Sequence, residues 1–283
     1  AAEAAILAHV GAPLGLDATA AAAAIIRVAN GLMAGAIRLV SIERGHDPRK
    51  FVIMPFGGGG ALHAGALMRE VGLAKALVPR YPGVISALGC AIADMRHDAV
   101  ATVNRTLEDL DASELQARMA ALAEGSGELV GDGAEISFAA DMSYQGQSHT
   151  VAVDLTSGSK SDVAAVRGDF EARYRAVYGR LLDGIPIRLL NLRLTALARR
   201  DAFDLSVLAP GGGAGNAESG RRPVWSDGAW RDTAIYDRLA LAPGAKLAGP
   251  AILEQADGTV FVDPGLVGEV DGFGNLIVAR GDG

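Results

Sequence analysis

Four consecutive glycines, Gly57–Gly60, close the apolar run Phe51–Phe56 and precede a helical stretch with Ala61 at its head and His63 in its first turn. Glycine lacks a Cβ, so a ligand can come close to the backbone there. A helix starting just behind would aim free N–H groups and the positive end of its dipole at the same spot. That arrangement suits a phosphate or an adenosine. A tight packing turn is the plain alternative, because a glycine-rich turn alone is weak evidence. No acidic residue ends the following strand at the spacing that dinucleotide sites use. A second glycine-rich stretch, Ala209–Pro223, has no Gly-Lys-Ser/Thr ending and reads as a linker, not a phosphate loop.

The other reactive side chains form no familiar constellation. His9, His46, His63, His97 and His149 make no metal pair with one another or with Cys90. His63 could reach a ligand beside the glycines, or could bond to backbone at the helix start. His97 with Asp94 and Asp98 reads as a solvated polar cluster. Cys90 lies in an apolar helix and reads as inert. There is no Gly-x-Ser-x-Gly and no Ser/His/Asp set.

The elements that must hold the glycine turn follow from periodicity. Asp17 or Thr19 can cap a helix that runs to about Arg44 and stops at Gly45. Its apolar face, with Ile25, Leu32, Met33, Ile37 and Val40, predicts a core helix packed on a sheet. Residues 1–16 read as a loop. Phe51–Phe56 predicts a buried strand, Ala61–Val71 a helix closed by Gly72, and Lys75–Val78 a second strand. Strand, helix and strand at this spacing make a β-α-β unit with a parallel sheet. Ser86–Met95 and Leu107–Glu124 read as helices, Ala134–Met142 and Thr150–Leu155 as strands, Val163–Tyr178 as a helix, and Ile185–Ala198 as a long strand. After Trp225 and Trp230, turn pairs such as Pro243-Gly244, Asp257-Gly258 and Pro264-Gly265 predict a small all-β unit.

The 283 residues carry a net charge of -7, which argues against non-specific nucleic-acid binding. Half the chain is hydrophobic, with only 5 % aromatics, so close packing on alanine is expected. One cysteine allows no intrachain disulfide. The most apolar window, Ala18–Ile37, is interrupted by Arg27 and Asn30 and reads as a poor membrane span.

The stretches SIERGHDPRKFVIMPFGGGGALHAGAL and VPRYPGVISALGCAIAD resemble the hydantoinase A / 5-oxoprolinase family. So do MSYQGQSHTVAV (Met142–Val153), FEARYRAVYG (Phe170–Gly179) and LAGPAILEQADGTVFVDPG (Leu247–Gly265). The resemblance keeps the family's order over nearly the whole chain and corresponds to its C-terminal part. Two positions depart from it, since alanine is usual where Gly59 stands and proline where Ala61 stands. The extra glycine should loosen the turn.

The resemblance implies an α/β fold with an actin/Hsp70-like nucleotide-binding lobe, followed by an α/β segment and a small all-β C-terminal unit. The corresponding expected boundaries are 1–105, 106–205, a linker at 206–224, and 225–283. It implies that Gly57, Gly58, Gly59, Gly60, Ala61 and His63 meet ATP, with Mg²⁺ held mostly by residues outside this chain. The implied activity is ATP-dependent opening of a cyclic amide such as hydantoin, 5-oxoproline or a lactam. ATP-dependent carboxylation of a ketone and a non-catalytic nucleotide-binding or assembly module are the alternatives. The implied partners are an N-terminal lobe of the same subunit and a hydantoinase B-type subunit, in the cytoplasm, with no nucleic acid and no membrane. The chain alone is expected to be inactive.

Overall fold

Residues 1–131, 133–155, 162–209 and 217–281 are described by the computed structural model. The first segment is helical, not a loop: α1 (Ala2–Ile6), a π-turn at Leu7–Gly11, and α2 (Ala12–Leu14), ended by Gly15 at φ 67°. The alanine-rich sequence favours helix, and Pro13 stands near the end of this continuous helical run. Asp17 then caps α3 (Ala18–Val40) by accepting the Ala20 N–H at 2.7 Å.

The expected core face of α3 holds only in part, with Met33 and Ile37 packed against the core. Ala21, Asn30 and Ala34 are its buried residues, whereas Leu32 is 72 % exposed and Ile25 and Val40 also face outward. Small side chains at Asn30 and Ala34 let α3 approach α4 (Ala64–Val71), while no described element covers the larger aliphatic face. By length and composition Ala18–Arg44 could cross a bilayer. Two of its polar groups, however, are engaged with protein. Asn30 meets His63, and Arg38 donates to the Glu70 carbonyl.

The predicted strand Phe51–Phe56 shrinks to β1 (Val52–Ile53), and Phe51, Val52, Met54 and Phe56 are exposed. Pro55 has no amide to donate, and β1 is an edge strand. α4 closes on Gly72 at φ 80° and leads to β2 (Lys75–Val78). β1 and β2 pair in parallel, Val52 with Lys75 and Ile53 with Ala76, so the expected β-α-β unit forms. A 3₁₀ turn at Pro82–Val84 opens α5 (Ile85–Ile92), which is shorter than expected and carries an exposed Cys90.

Residues Ile92–Ala202 form a unit of their own. It contains β3 (Met95–Thr106), α6 (Ala112–Ala123), α7 (Ser126–Val130), β4 (Glu135–Tyr144), β5 (Val151–Asp154), α8 (Val163–Tyr178) and β6 (Ile187–Ala198). The antiparallel order is β3-β6-β4-β5. Leu189 and Leu192 of β6 are buried with Val166, Phe170 and Tyr174 of α8. The presumed polar cluster after α5 is part of β3, where Asp98 pairs with Arg96 and accepts the Thr195 hydroxyl at 2.6 Å. Gln147, in the turn between β4 and β5, donates to the Tyr174 hydroxyl at 2.7 Å and so ties that turn to α8.

The chain then returns to the first unit, Ala1–Ala91 with Phe203–Gly283. It adds β7 (Glu218–Ser226), β8 (Ala229–Asp237), β9 (Lys246–Ala248), β10 (Ala251–Gln255), β11 (Gly258–Val262), β12 (Leu266–Val270) and β13 (Leu276–Arg280). One sheet runs β11-β10-β8-β7, and the other runs β1-β2-β13-β12-β9. The expected separate all-β unit is therefore corrected, because β13 pairs antiparallel with β2, Leu276 opposite Val78 and Ala279 opposite Lys75. Ala76 and Val78 are fully buried, so β2 needs covered neighbours on both sides, and the C-terminal strands supply one of them. The expected boundary at 105 moves to 91, since β3 pairs with β6. Of the expected linker 206–224, residues 210–216 lie outside the described residues, Leu205–Leu208 is a 3₁₀ turn, and Glu218 onward is strand.

Candidate functional site

The glycine turn sits at the C-terminal ends of the parallel strands β1 and β2, the end at which open α/β sheets bind ligands. Gly57 has φ 80°, a left-handed conformation that glycine adopts without strain. Its N–H donates to the Pro82 carbonyl at 2.7 Å, and the Gly58 carbonyl accepts the Thr259 N–H at 3.1 Å. The turn is thus pinned on two sides. Among the described residues, the amides of Gly58 and Gly59 have no acceptor. A Cβ built on Gly59 would meet only open space.

The remaining predicted residues divide. Gly60 and Ala61 belong to a 3₁₀ turn, Gly60–Leu62, and Ala61 is buried, so only its backbone could face a ligand. His63 stands at the N-cap position of α4 without a side-chain capping bond and is half-buried. Its Nδ1 lies 2.7 Å from Asn30 Oδ1, to which Nδ1–H donates. That bond joins α4 to α3 and orients the ring through a side chain, not through backbone.

Two further turns complete the site. The β10–β11 hairpin turn, at Asp257-Gly258, lies on both the glycine turn and the Pro82-Gly83 turn. Asp257 Oδ2 accepts the Gly83 N–H at 2.9 Å. The Cβ of any larger residue at Gly83 would stand 2.2 Å from the Asp257 carbonyl oxygen. Behind them Arg238 is 5 % exposed, and its guanidinium donates to the carbonyls of Val78 (2.9 Å), Pro79 (2.6 Å) and Arg80 (3.2 Å) and to Gln255 Oε1 (2.8 Å). Gln255 Nε2 donates in turn to the Arg80 carbonyl at 3.1 Å and to Asp257. Burial pulls the Arg238 pKa down to about 10, opposed by the Asp257 charge, so it remains cationic at neutral pH. In the sequence Asp257-Gly258 is legible as a turn. Its contact with Gly83, 174 residues away, has no local signal.

Asp263 stands after β11, packed on α4. Its Oδ1 accepts from Arg69 at 2.7 Å, while Oδ2 is buried and has no partner among the described residues. A Cβ on Gly65 would lie 1.9 Å from that oxygen, so glycine is needed there to admit the carboxylate. Burial raises the Asp263 pKa above the ordinary 3.8, and Arg69 only partly opposes it. A folded pKa above the unfolded one gives stability that is complete below 3.8 and lost as pH rises through the folded value. Asp263→Asn is therefore expected to flatten the fall in unfolding free energy as pH rises from 3.8. Urea denaturation across that range, with an unchanged slope in the variant, would refute this origin.

Among the described residues no three His, Cys, Asp or Glu side chains gather as a metal site. The arrangement is a set of backbone turns at one end of a parallel strand pair, with two amides that have no acceptor among the described residues.

Comparison with known proteins names the class. The Hydantoinase/oxoprolinase family model matches residues 1–99, and the Hydantoinase/oxoprolinase C-terminal domain model matches residues 93–277. The chain belongs to the hydantoinase/oxoprolinase family. An uncharacterized protein of Methanocaldococcus jannaschii is 34 % identical over 90 % of this chain and 37 % of its own length. The caprolactamase subunit alpha of Pseudomonas jessenii is 31 % identical over 92 % of this chain and 40 % of its own. The crystal structure of the ATP-dependent caprolactamase from Pseudomonas jessenii superposes with a TM-score of 0.71 at 28 % identity, covering 98 % of this chain and 42 % of that one. The chain thus spans about two fifths of the length of these relatives.

Proposed function

We infer that this chain is part of an ATP-dependent enzyme that opens a cyclic amide, and that it contributes one wall of an actin/Hsp70-like nucleotide cleft. The observation that carries this reading is the pair of amides at the exposed residues Gly58 and Gly59, without an acceptor among the described residues, at the C-terminal ends of β1 and β2. The fit to a nucleotide is good at the phosphate end. Two backbone donors, a Cβ-free approach and the start of α4 all favour an anion. Bound ATP would supply the phosphoryl group that turns an amide carbonyl oxygen into a leaving group. Within this chain Gly58 and Gly59 would hold phosphate oxygens, and Asp257 and Arg238 would hold the turns that present them. The residues for Mg²⁺, the remaining lobe of the cleft and a hydantoinase B-type partner would come from outside the chain. Family membership and the named activity of the caprolactamase relative support the cyclic amide as substrate class.

The test is ATP turnover by the complete subunit with its partner, offered hydantoin, 5-oxoproline or caprolactam. Substrate-stimulated ADP release with one of them is expected. ADP release only with a ketone and bicarbonate would replace the reading with carboxylation, and none at all would end it.

Two variants probe the turn. Gly58→Val places methyl groups over the free amides, with its Cβ at ordinary contact, 3.5 Å from the Asp257 carbonyl. We expect ATP affinity to fall by about tenfold or more, the equivalent of losing about one hydrogen bond to a charged group. Gly59→Ala meets no atom and has φ -109°. It is expected to retain ATP binding and to raise the unfolding free energy by about 0.4–1 kcal/mol by restricting the unfolded chain. Calorimetric titration and urea denaturation read both, and equal ATP affinity in wild type and Gly58→Val would remove the turn from the site.

A further inference from the structure

The glycine turn and the helix behind it are held on β11 at two points. Near the start of β11 the Thr259 N–H donates to the Gly58 carbonyl at 3.1 Å. One residue past its end, Asp263 Oδ1 accepts from Arg69, in the last turn of α4, at 2.7 Å. Between these points β11 packs on the Gly60–Leu62 turn and on α4, and Ala61, Ala64, Met68, Val260 and Val262 belong to one apolar core. Gly65 and Arg69 stand four residues apart on one face of α4, and the Asp263 carboxylate touches both. The pair is unevenly solvated. The Arg69 side chain is 45 % exposed and that of Asp263 only 9 %, with Oδ2 lacking a partner among the described residues. The Asp227 carboxylate, in the turn between β7 and β8, acts on Asp263 with a like charge. An ionised Asp263 therefore binds Arg69 strongly but buries a charge, and a protonated one gives up both the attraction and the burial penalty.

We propose that Asp263 and Arg69 are positioning residues for the glycine turn. Ionised, the pair clasps α4 to β11 and keeps the Gly58 and Gly59 amides in place for an anion, and proton uptake by Asp263 loosens that clasp. The ligand is taken from the ATP reading, on which this regulatory role rests. The geometry selects the turn as the element that responds. α4 follows the Gly60–Leu62 turn with only His63 between, so a slip of α4 along β11 carries the glycine turn with it. Apolar packing between helix and strand is non-directional and does not fix their register, whereas the ion pair does. The charged groups acting on Asp263 are Arg69 from α4 and Asp227 from the β7–β8 turn. Coupling is reciprocal, so ATP favours the ionised Asp263 and its binding releases a proton.

The test uses the complete subunit with its partner and reads the clasp both without and with nucleotide. Asp263→Asn keeps the shape of the side chain and removes its charge. Without nucleotide, hydrogen-exchange protection of the Thr259 amide should fall about tenfold in Asp263→Asn and in Arg69→Gln, and stay near the wild-type value in Arg69→Lys. In calorimetric titrations at neutral pH, Asp263→Asn should bind ATP about tenfold more weakly than wild type. That ratio should shrink toward about one as pH falls through the Asp263 pKa, since both proteins then carry a neutral side chain. Titration of the nucleotide is common to both proteins and drops out of the ratio. Asp227→Asn removes the like charge and should move the midpoint of the wild-type profile to lower pH. Equal Thr259 protection in wild type and Asp263→Asn would overturn the proposal, and so would an affinity ratio that stays constant with pH. A wild type that binds no ATP, with Thr259 protection still lost in Asp263→Asn, would end the ATP reading and leave the clasp standing.

Discussion

Replacing Arg238 with alanine is expected to lower the unfolding free energy by about 3–5 kcal/mol, the range for removing one partner of a buried charged network. The guanidinium serves three successive carbonyls, those of Val78, Pro79 and Arg80, together with Gln255. The Val78 carbonyl belongs to the last residue of β2, and those of Pro79 and Arg80 lie just past it, where the chain has left its ladder. Without Arg238 the Val78 and Pro79 carbonyls lose this donor, the Arg80 carbonyl keeps only Gln255, and Gln255 loses the contact that holds it toward Asp257. Arg238→Lys should recover only part of the loss, because an ammonium has three donors and no planar fork to span the set. Urea denaturation of the three proteins is the measurement. A loss under about 1 kcal/mol in the alanine variant would mean that water takes over the carbonyls.

Local signals in the sequence mark the parts of this region that depend on few neighbours. α8 begins and ends where its periodicity places it, Val163–Tyr178, and Gly72 closes α4 in the left-handed conformation that its position requires. The β-α-β unit is likewise written in residues 51–78, which hold the strand, glycine turn, helix and strand in order. What could not be read is which distant segment completes each piece. β2 carries the apolar residues of a two-sided strand, yet nothing local says that β13 is the neighbour. The large aliphatics of α3 suggest a core helix, but the structure buries Asn30 and Ala34, because close approach to α4 needs small side chains. β3 is not legible because His97, with Asp94 and Asp98, looks like a solvated cluster. In the sheet His97 is half-buried between exposed Arg96 and Asp98, and Asp98 is bonded to Arg96 and Thr195. The site follows the same rule. The glycine turn and its His63 are legible, while Arg238, Gln255 and Asp257, which fix the backbone around it, enter from the far end of the chain.

Gly83→Ala tests that long-range arrangement most directly, and its expected cost is about 3 kcal/mol, the upper part of the range for overpacking. The new Cβ would lie 2.2 Å from the Asp257 carbonyl oxygen and 2.7 Å from its Cβ. A clash with the tip of a flexible side chain could be relieved by rotation. Here the obstacle is backbone, and the hairpin that carries it is held by Arg238 and Gln255. The hairpin must therefore lift away from the Pro82-Gly83 turn, and the Gly83 N–H···Asp257 bond must lengthen or break. The glycine turn loses its supports on both sides, since Thr259 donates to the Gly58 carbonyl and Gly57 donates to the Pro82 carbonyl. Amide exchange at Gly57 and Thr259 should accelerate in the variant before global unfolding does. ATP affinity should fall as well, although residue 83 adds only a methyl group and removes no donor from the turn. If exchange at those two amides and the urea midpoint both stayed at the wild-type values, the hairpin would not be what holds the glycine turn in place.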